Sequence, residues 1–338
     1  MGFAGFGVVK AWQTALSLFY GRRSSTTRIL FVTDMHGSEG VWKKFLNASA
    51  MLKVEVAICG GDLTGKMVVP VIKCGGGRYK YYLMGKTNMI DHDGLEKAFK
   101  DIRGIGYYPY LTDERGYEDM TGNPKKVDEV FTEVMSSTLE NWFDLIRQKL
   151  SSQTRVIVCP GNDDRFLVDE IADRHKDVIN AEGKVVQIDD SHEMVSTGWV
   201  NPSPWRTSRE EEDEKLERRL EEYISKLNDV ENAIFNFHAP PYQSKLDDAP
   251  QLDKDLNPVI RSGSVVMVPV GSKAVRNMIQ KYQPFLGLHG HIHESSGSVK
   301  IGKTYCVNPG SEYAEGVLRA YLIEFKKDKI IKLQRIEG

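Results

Sequence analysis

Short apolar runs that end in polar residues recur along this chain and predict buried β-strands. The runs cover residues 29–34, 54–62, 155–164, 233–241 and 285–293. Between the first two runs, Val41, Phe45 and Leu52 lie at helical spacing, which predicts a helix over residues 38–52. Strand, helix and strand in this order are typical of a right-handed βαβ unit, whose functional loops lie at the carboxyl ends of the strands.

Further along the chain the pattern predicts a hairpin, more helices and a C-terminal group of strands. The hairpin is expected at residues 67–84, with its turn at residues 75–77; a phosphate cradle is the alternative for these three glycines, but no helix start follows them. Helices are predicted at 92–103, 126–150, 208–227 and 271–282, and strands at 304–307, 318–325 and 329–335. The helix at 208–227 carries opposite charges at three- and four-residue spacing, which favours a solvated face over a partner-binding helix.

Residues 1–25 are predicted to form an N-terminal helical extension, with Phe6, Trp12 and Phe19 on one face. We expect this helix to pack on the protein or on a neighbouring subunit, which would make a homo-oligomer; an interfacial membrane contact is the alternative. The stretch lacks the basic start and the cleavage site of a signal peptide. No apolar run of about 18 residues or more occurs, so no membrane-spanning helix is expected.

Composition and charge limit the class of protein further. Of 338 residues, 41% are hydrophobic and 27% are charged, which allows one large α/β domain with insertions or two domains. The 45 basic and 47 acidic residues give a net charge of −2, so long nucleic acid is not a favoured partner. The four cysteines lack the spacing of a zinc site or a disulfide framework, which favours free thiols, with Cys59 and Cys159 buried, and a cytoplasmic location.

Each of the first five predicted strands is followed by residue types that bind metal ions. In chain order these residues are Asp34 with His36, then Asp62, Asn162, His238, and His291 with His293. A single residue of this kind after a strand is commonly a helix cap or a structural histidine, but the same feature on five strands predicts a metal site. Carboxylate and imidazole groups suit manganese, iron, zinc and similar ions, whereas thiolates would select softer ions.

The order of these residues resembles the motifs of the calcineurin-like metallophosphoesterase superfamily. The motifs are Asp34-x-His36, Gly60-Gly61-Asp62, Gly161-Asn162-x-Asp164, His238 and Gly290-His291-x-His293, and the resemblance covers about residues 28–325. It implies an α/β fold of the metallophosphoesterase type, a four-layer α/β/β/α sandwich over residues 26–338 with a cap-like insertion at about residues 65–152. It also implies a hydrolase of phosphate esters of small molecules or nucleotides.

The same resemblance implies a site for two divalent metal ions. One ion would be bound by Asp34, His36, Asp62 and His293, and the other by Asp62, Asn162, His238 and His291, so that Asp62 bridges the two. Manganese is the favoured metal, with iron, zinc, nickel and magnesium as alternatives. A hydroxide that bridges the ions would attack the phosphorus atom of a small phosphorylated substrate, with no protein nucleophile.

The sequence departs from the superfamily at residue 163. Many members have a histidine there that is thought to assist the leaving group, whereas this chain has Asp163. A carboxylate repels a phosphate dianion more than a diester, so phosphodiesters are the favoured substrates, unless Asp163 acts as an acid with a raised pKa. Asp163 and Asp164 are the candidate catalytic residues, the latter by orienting a ligand or Asp163. Arg165 is a candidate phosphate contact, with a helix cap or a surface ion pair as the alternative.

The chain between Asp62 and Asn162 is longer than in compact members of the superfamily, and a cap over the site would explain its length. Tyr107, Tyr108 and Tyr110 lie in this segment. They are candidates for stacking on a base, and packing within a loop is the alternative.

Other functions fit parts of the sequence. A phosphomonoesterase or a nuclease of the same superfamily is one alternative, although the near-neutral charge gives a nuclease little attraction to a long polyanion. A non-enzymatic, metal-bound scaffold is another, which Asp163 favours and the complete ligand set opposes. A nucleotide-binding P-loop is a third: residues 60–66 match its glycine and lysine pattern, but Met67 replaces the hydroxyl residue that would hold magnesium.

Overall fold

The structure, a computed structural model, describes residues 26–338, which contain both strands and helices. The strands are β1 (Thr27–Val32), β2 (Val56–Cys59), β3 (Val68–Cys74), β4 (Arg78–Leu83), β5 (Lys86–Ile90), β6 (Tyr108–Asp113), β7 (Arg155–Val158), β8 (Ile179–Asn180), β9 (Val185–Gln187), β10 (Glu193–Thr197), β11 (Ile234–Phe237), β12 (Asp248–Pro250), β13 (Ile260–Arg261), β14 (Ser264–Val265), β15 (Met267–Pro269), β16 (Leu286–Leu288), β17 (Gly297–Ile301), β18 (Thr304–Asn308), β19 (Arg319–Lys326) and β20 (Lys329–Glu337). The helices are α1 (Glu39–Met51), α2 (Leu95–Gly104), α3 (Glu114–Thr121), α4 (Pro124–Lys149), α5 (Leu167–Arg174), α6 (Asp213–Ile224) and α7 (Lys273–Tyr282). The predicted α/β class is confirmed.

Two six-stranded sheets organise these elements. Their strand orders are β20-β19-β1-β2-β7-β8 and β17-β18-β16-β11-β10-β9. In the first sheet β1, β2 and β7 are parallel neighbours, and the predicted β1–α1–β2 unit is present. In the second sheet β10, β11, β16 and β18 are parallel neighbours. The carboxyl ends of the five ligand-bearing strands, β1, β2, β7, β11 and β16, can therefore meet at common sheet edges.

Three apolar cores hold the sheets and helices together. In β1, Ile29 and Phe31 pack into the core between the two sheets, whereas Leu30 packs into a core with α1, α4 and α5 on the other face. This alternation follows from the two-residue period of a strand, and both faces are apolar because both are covered. On the far side of the second sheet, Phe235 and Phe237 pack in a third core with α6 and α7.

The predicted insertion contains a smaller sheet of its own, with strand order β5-β4-β3-β6. Val71, Tyr79 and Ile102 belong to a separate small core beneath it. The hairpin of β3 and β4 turns at Gly75–Gly77, where Gly76 has φ 71°, so the prediction of a turn at these glycines is confirmed. The long helix α4 begins beside this sheet, but its later residues pack in the core of the main sheet. The limits of the insertion stay a prediction.

Two of the three candidate stacking tyrosines, Tyr107 and Tyr108, pack against the protein. Tyr108 is 2% exposed, and its hydroxyl accepts a hydrogen bond from the backbone N–H of Gly65 at 2.7 Å. Its ring meets Phe131 edge to face, with centroids 5.6 Å apart. Tyr107 is a partly buried neighbour of the small core. The packing alternative therefore describes these two residues, but Tyr108 and the half-buried Tyr110 lie in strand β6 rather than in the expected loop, and stacking by Tyr110 stays a prediction.

One predicted helix is shorter in the structure. The charged segment 208–227 is helical only from Asp213 to Ile224, with a charged outer face and an inner face that buries Leu216 and Leu220. The preceding residues cannot join the helix because their backbone pairs elsewhere. Val200 donates its N–H to the carbonyl of Arg209, and Glu211 donates its N–H to the carbonyl of Val200.

Two predictions concern the N-terminus and membranes. The predicted N-terminal helix, with its proposed subunit contact, lies outside the described residues. Among residues 26–338, none of the helices combines the length and the apolar character needed to cross a membrane. All four cysteines are free, and Cys59 and Cys159 are buried as predicted.

Candidate metal centre

The predicted ligands follow the ends of strands from both sheets. Asp34 and His36 follow β1, Asp62 follows β2, and Asn162 follows β7. From the second sheet, His238 directly follows β11, and His291 and His293 lie in the loop after β16. Backbone hydrogen bonds continue past the strand ends, for example from the Asp34 N–H to the Gly61 carbonyl and from the Gly290 N–H to the His238 carbonyl. The ligand loops are therefore held in register with one another.

Three candidate ligands form what we call the first cluster, in which each residue offers a ligand atom within 4.8 Å of the others. They are Asp34, His36 and His293. The Nε2 atoms of His36 and His293 lie 3.0 Å apart, and Asp34 Oδ1 lies 3.3 Å from His293 Nε2. Asp34 and His36 are about 1% exposed. Two imidazoles and a carboxylate that converge in a buried space make a ligand set suited to a divalent cation.

Asp62, His238 and His291, the second cluster, converge in the same way. His238 Nε2 lies 3.3 Å from Asp62 Oδ2 and 3.7 Å from Asp34 Oδ1, so this imidazole faces the carboxylates of both clusters. His36 Nε2 of the first cluster lies 3.7 Å from Asp62 Oδ2. The two clusters therefore adjoin, with Asp62 between them.

Asn162 lies in the loop next to Asp62, and only the nitrogen of its side-chain amide has a hydrogen-bond partner among the described residues. Its Nδ2 donates a hydrogen bond to the Thr207 hydroxyl at 2.9 Å, which fixes the amide orientation. Its Oδ1 is buried without a hydrogen-bond partner among the described residues. The next residue, Asp163, donates its backbone N–H to Asp62 Oδ1 at 2.9 Å. We call the two clusters and Asn162 together the candidate metal centre.

Several buried polar atoms of this centre lack the partners that burial requires. His36 Nδ1 and both ring nitrogens of His238 have no hydrogen bond within the described chain. An unpartnered buried polar atom costs about 1–3 kcal/mol, and native proteins rarely leave several of them in one place. The donor set therefore fits bound cations, because each imidazole in its neutral form has one ring nitrogen whose lone pair can bind a metal ion.

The backbone of the ligand loops is strained in a way typical of functional sites. Four candidate ligands have left-handed φ angles, an uncommon conformation for residues other than glycine. These residues are Asp34 (φ 55°), His36 (φ 41°), Asp62 (φ 49°) and His291 (φ 66°). Nearby glycines permit close approach: a Cβ atom added to Gly161 would lie 2.1 Å from Asp62 Oδ1, and one added to Gly61 would lie 2.1 Å from His238 Nδ1.

Burial and mutual charge set the protonation of the centre. Burial by itself would raise the pKa of the Asp34 and Asp62 carboxyls, but the nearby imidazoles, His238 foremost, lower both pKa values below the ordinary range. Burial lowers the pKa of His36 to about 3 and that of His291 to about 4. Burial would also lower the pKa values of His238 and His293, but Asp62 and Asp34 raise that of His238 to about 9, and Asp34 raises that of His293. Ionised carboxylates and neutral imidazoles are the forms that bind metal ions, so Asp34, Asp62, His36 and His291 need no proton loss at neutral pH, whereas His238 must lose a proton when a metal binds.

Asp163, a candidate catalytic residue, forms an ion pair at the edge of the centre. Its Oδ2 lies 3.8 Å from His36 Nδ1 and 2.5 Å from Lys66 Nζ. Burial and the charge of Asp62 raise the pKa of Asp163, and the Lys66 ammonium opposes that rise. The sequence does not mark Lys66 as a site residue, because Lys66 is noticeable there only as the lysine of the P-loop-like pattern. A P-loop is followed by a helix, but this segment is followed by strand β3, so the structure does not support the P-loop alternative.

Asp164, the other candidate catalytic residue, is fully buried among the loops that carry the candidate ligands. Its carboxylate accepts hydrogen bonds from the backbone N–H groups of Leu63, Thr64 and Gly161, at 2.8–3.0 Å, and from the Thr64 hydroxyl at 2.6 Å. Burial raises the pKa of this carboxyl to about 6. The geometry favours the orienting role that the sequence offered, because Asp164 ties the loops of Asp62 and Asn162 together.

Arg165 forms a surface ion pair, which is the alternative that the sequence analysis gives to a phosphate contact. Its guanidinium binds Asp128 Oδ1 at 2.7 Å and the Thr132 hydroxyl at 2.8 Å, and it lies over the Phe131 ring.

Tyr313 is a second residue near the centre that the sequence does not predict, and its ring centroid lies 4.7 Å from that of His36. Its distance along the chain from every motif left no signal by which sequence reasoning could find it.

Comparisons with known proteins support the fold. No family model matches this chain. It is 29% identical over 193 residues, or 56% of its length, to the uncharacterized protein MJ1162 of Methanocaldococcus jannaschii, of which 76% is covered. One solved crystal structure is similar with a TM-score of 0.54 at 17% identity, over 92% of this chain and 99% of the other. At that level of identity the likeness concerns the fold alone.

Two further solved structures are similar at lower scores. One is the protein TT1561 of Thermus thermophilus, with a TM-score of 0.47 and 13% identity over 89% of this chain and 99% of the other. The other is YfcE, a phosphoesterase from E. coli, with a TM-score of 0.33 and 10% identity over 91% and 98%. The Asp and His residues that carry the sequence resemblance to the calcineurin-like metallophosphoesterases lie together as a metal site would require.

Proposed function

We propose that this chain is a metal-dependent hydrolase of phosphate esters that uses two divalent ions at the candidate metal centre. The observation that carries the proposal is the junction of the two clusters, where His238 Nε2 lies 3.7 Å from Asp34 Oδ1 and 3.3 Å from Asp62 Oδ2. Ions held by adjoining clusters would both reach one phosphate group. Paired divalent ions catalyse phosphate transfer and hydrolysis in many phosphatases and nucleases.

Each predicted ligand has a role in this proposal. Asp34, His36 and His293 would hold one ion, Asn162, His238 and His291 would hold the other, and Asp62 would contribute to both. Bound divalent ions would supply the positive charge that stabilises a phosphate and the lowered pKa of water that a hydrolytic reaction needs. Manganese is the metal that we favour for this mixture of carboxylate, amide and imidazole ligands.

Phosphodiesters are the substrates that we favour. The Asp163 carboxylate lies at the edge of the centre, 3.8 Å from His36 Nδ1, and repels a phosphate dianion more than the monoanion of a diester. The Lys66 ammonium offsets part of that repulsion without removing the carboxylate. A phosphomonoesterase is the alternative if Lys66 instead turns toward the phosphate.

A panel of metals and substrates tests the proposal. With manganese we expect faster hydrolysis of bis(p-nitrophenyl) phosphate than of p-nitrophenyl phosphate, compared as kcat/KM. Asp62→Ala and His238→Ala should each lower kcat/KM by at least ~100-fold, because changes even to residues behind metal ligands cost up to that much. Asp144→Ala is the matched control, since this exposed residue lies in a separate acidic group with His175 and Asp177.

The outcomes separate the rival functions. Unchanged turnover in both ligand variants would exclude the assigned site. Bound manganese without hydrolysis of any ester would favour the non-enzymatic scaffold. Cleavage of single-stranded DNA in preference to the aryl diester would favour a nuclease.

A further inference from the structure

We propose that a groove beside the candidate metal centre binds an apolar, aromatic group esterified to the phosphate of the substrate; this inference rests on the proposed function and names its substrate class. The groove has a volume of about 420 Å³ and lies between the start of β3, helix α3 and the first half of α4. Its walls include Met67, Tyr117, Val127 and Phe131, and Lys66 and Arg165 also line it. We call it the apolar groove.

The apolar groove adjoins the metal centre through one ion pair. Lys66 lines the groove, and its Nζ lies 2.5 Å from Asp163 Oδ2. The same Asp163 oxygen lies 3.8 Å from Nδ1 of the candidate ligand His36. The Lys66–Asp163 ion pair therefore forms the boundary between the groove and the centre, and we place one ester group of a phosphate bound at the centre in the groove.

The walls of the groove expose apolar side chains that a ligand would cover. Met67 is 50% exposed, and Tyr117 and Val127 are each 40% exposed. Single exposed apolar residues are ordinary, but several that line one concave space beside a reactive centre are typical of a binding site. The volume also lies within the range of small-molecule pockets, about 300–1,000 Å³.

The charges of the groove indicate which part of the substrate it takes. Lys66 is paired with Asp163, and Arg165 is paired with Asp128 at 2.7 Å, so each cation that lines the groove has an anion beside it. The Arg165 guanidinium also covers the Phe131 ring at 4.4 Å from its centroid. Paired charges give no net attraction for a second anionic group. The groove is therefore suited to the uncharged aromatic part of a diester, while the phosphate lies at the metal centre.

Two diesters with the same leaving group test this assignment. Methyl p-nitrophenyl phosphate and 2-naphthyl p-nitrophenyl phosphate both release p-nitrophenolate, so their kcat/KM values differ through the second ester group. The manganese-loaded protein should prefer the naphthyl ester by about tenfold or more, because the ring system is removed from water in the groove. Val127→Trp fills the groove and should abolish that preference.

Two further variants serve as a control outside the groove and as a second change inside it. Glu133→Trp places the same side chain at an exposed position of α4 outside the groove and should retain the full preference. Met67→Gln makes one wall polar at nearly constant size and should lower the preference about threefold. A preference that is equal in the wild type, Val127→Trp and Met67→Gln would overturn the proposal.

Failure of the groove and failure of the proposed function are distinguishable. If neither diester is hydrolysed, the proposed function fails, and the groove is then judged by equilibrium binding of 2-naphthyl phosphate, followed by its fluorescence. Binding that Val127→Trp weakens and Glu133→Trp does not weaken would support the groove. Equal binding by the three proteins would overturn it.

Discussion

The ammonium group of Lys66 lies 2.5 Å from the Asp163 carboxylate, on the side of the candidate metal centre where His36 is found. The two residues are about 100 positions apart in the chain. The lysine therefore places a positive charge beside the carboxylate at this edge of the site.

Removal of that charge should affect monoesters more than diesters. We expect Lys66→Met to lower kcat/KM about tenfold for p-nitrophenyl phosphate and about threefold for bis(p-nitrophenyl) phosphate, because the unopposed Asp163 charge repels a dianion more strongly. The measurement is steady-state hydrolysis with manganese. Lys66→Met combined with Asp163→Asn should recover most of the loss, and equal losses for both substrates would contradict this role.

Asp164 is expected to stabilise the fold around the site. Asp164→Ala leaves the buried N–H groups of Leu63, Thr64 and Gly161 without an acceptor, and we expect the free energy of unfolding to fall by roughly 3 kcal/mol. Asp164→Asn keeps one acceptor oxygen and should lose about half as much. Urea denaturation measures both values. An alanine variant as stable as the wild type would show that these hydrogen bonds contribute little.

Close packing at Gly161 should be necessary for metal binding. A Cβ atom at this position would lie 2.1 Å from Asp62 Oδ1, so Gly161→Ala must displace the proposed bridging carboxylate. We expect manganese affinity, measured by isothermal titration calorimetry, to fall at least ~10-fold. Gly75→Ala is the matched control, because a Cβ atom there meets nothing within 4 Å. Equal affinities of the two variants would argue against the assigned position of Asp62.

The ligands were predictable because they follow strands whose carboxyl ends meet at sheet edges. The apolar runs before Asp34 and Asp62 form the parallel strands β1 and β2, and the run before His238 forms β11 in the other sheet. No periodicity marks a residue such as Lys66, which lies in a loop and gains its role from a contact across the fold. Arg209 was likewise hidden within a charged run, yet it is 1% exposed and its guanidinium binds the Gly161 carbonyl at 3.1 Å.

Asp189 should make stability depend on pH at the acid end. Burial would raise the pKa of its carboxyl, but hydrogen bonds from His192, Thr27 and Ser191 lower that pKa to about 2. A carboxyl whose pKa is lower in the folded than in the unfolded state adds stability above about pH 4, and that stability is lost as the pH falls toward 2. After a discount for solvent screening, the contribution is of the order of 1 kcal/mol.

The Asp189→Asn variant isolates this effect. We expect it to be less stable than the wild type by about 1 kcal/mol at pH 6 and by clearly less at pH 2.5, because that pH lies below the pKa of the unfolded carboxyl and most of the stabilisation from its lowered folded-state pKa is lost there. Urea unfolding at the two pH values measures the difference. A stability difference that stays constant with pH would show that the carboxyl has an ordinary pKa in the folded protein.

Anomalous diffraction from crystals soaked in manganese would show whether two metal ions bind at the candidate metal centre. We expect two anomalous peaks on either side of the Asp62 carboxylate, one beside His36 and His293 and the other beside His238 and His291. An Asp62→Ala crystal should lose at least one of them. Crystals with no peak at these residues, or with manganese only at the separate group of Asp144, His175 and Asp177, would show that the candidate metal centre does not bind the metal pair.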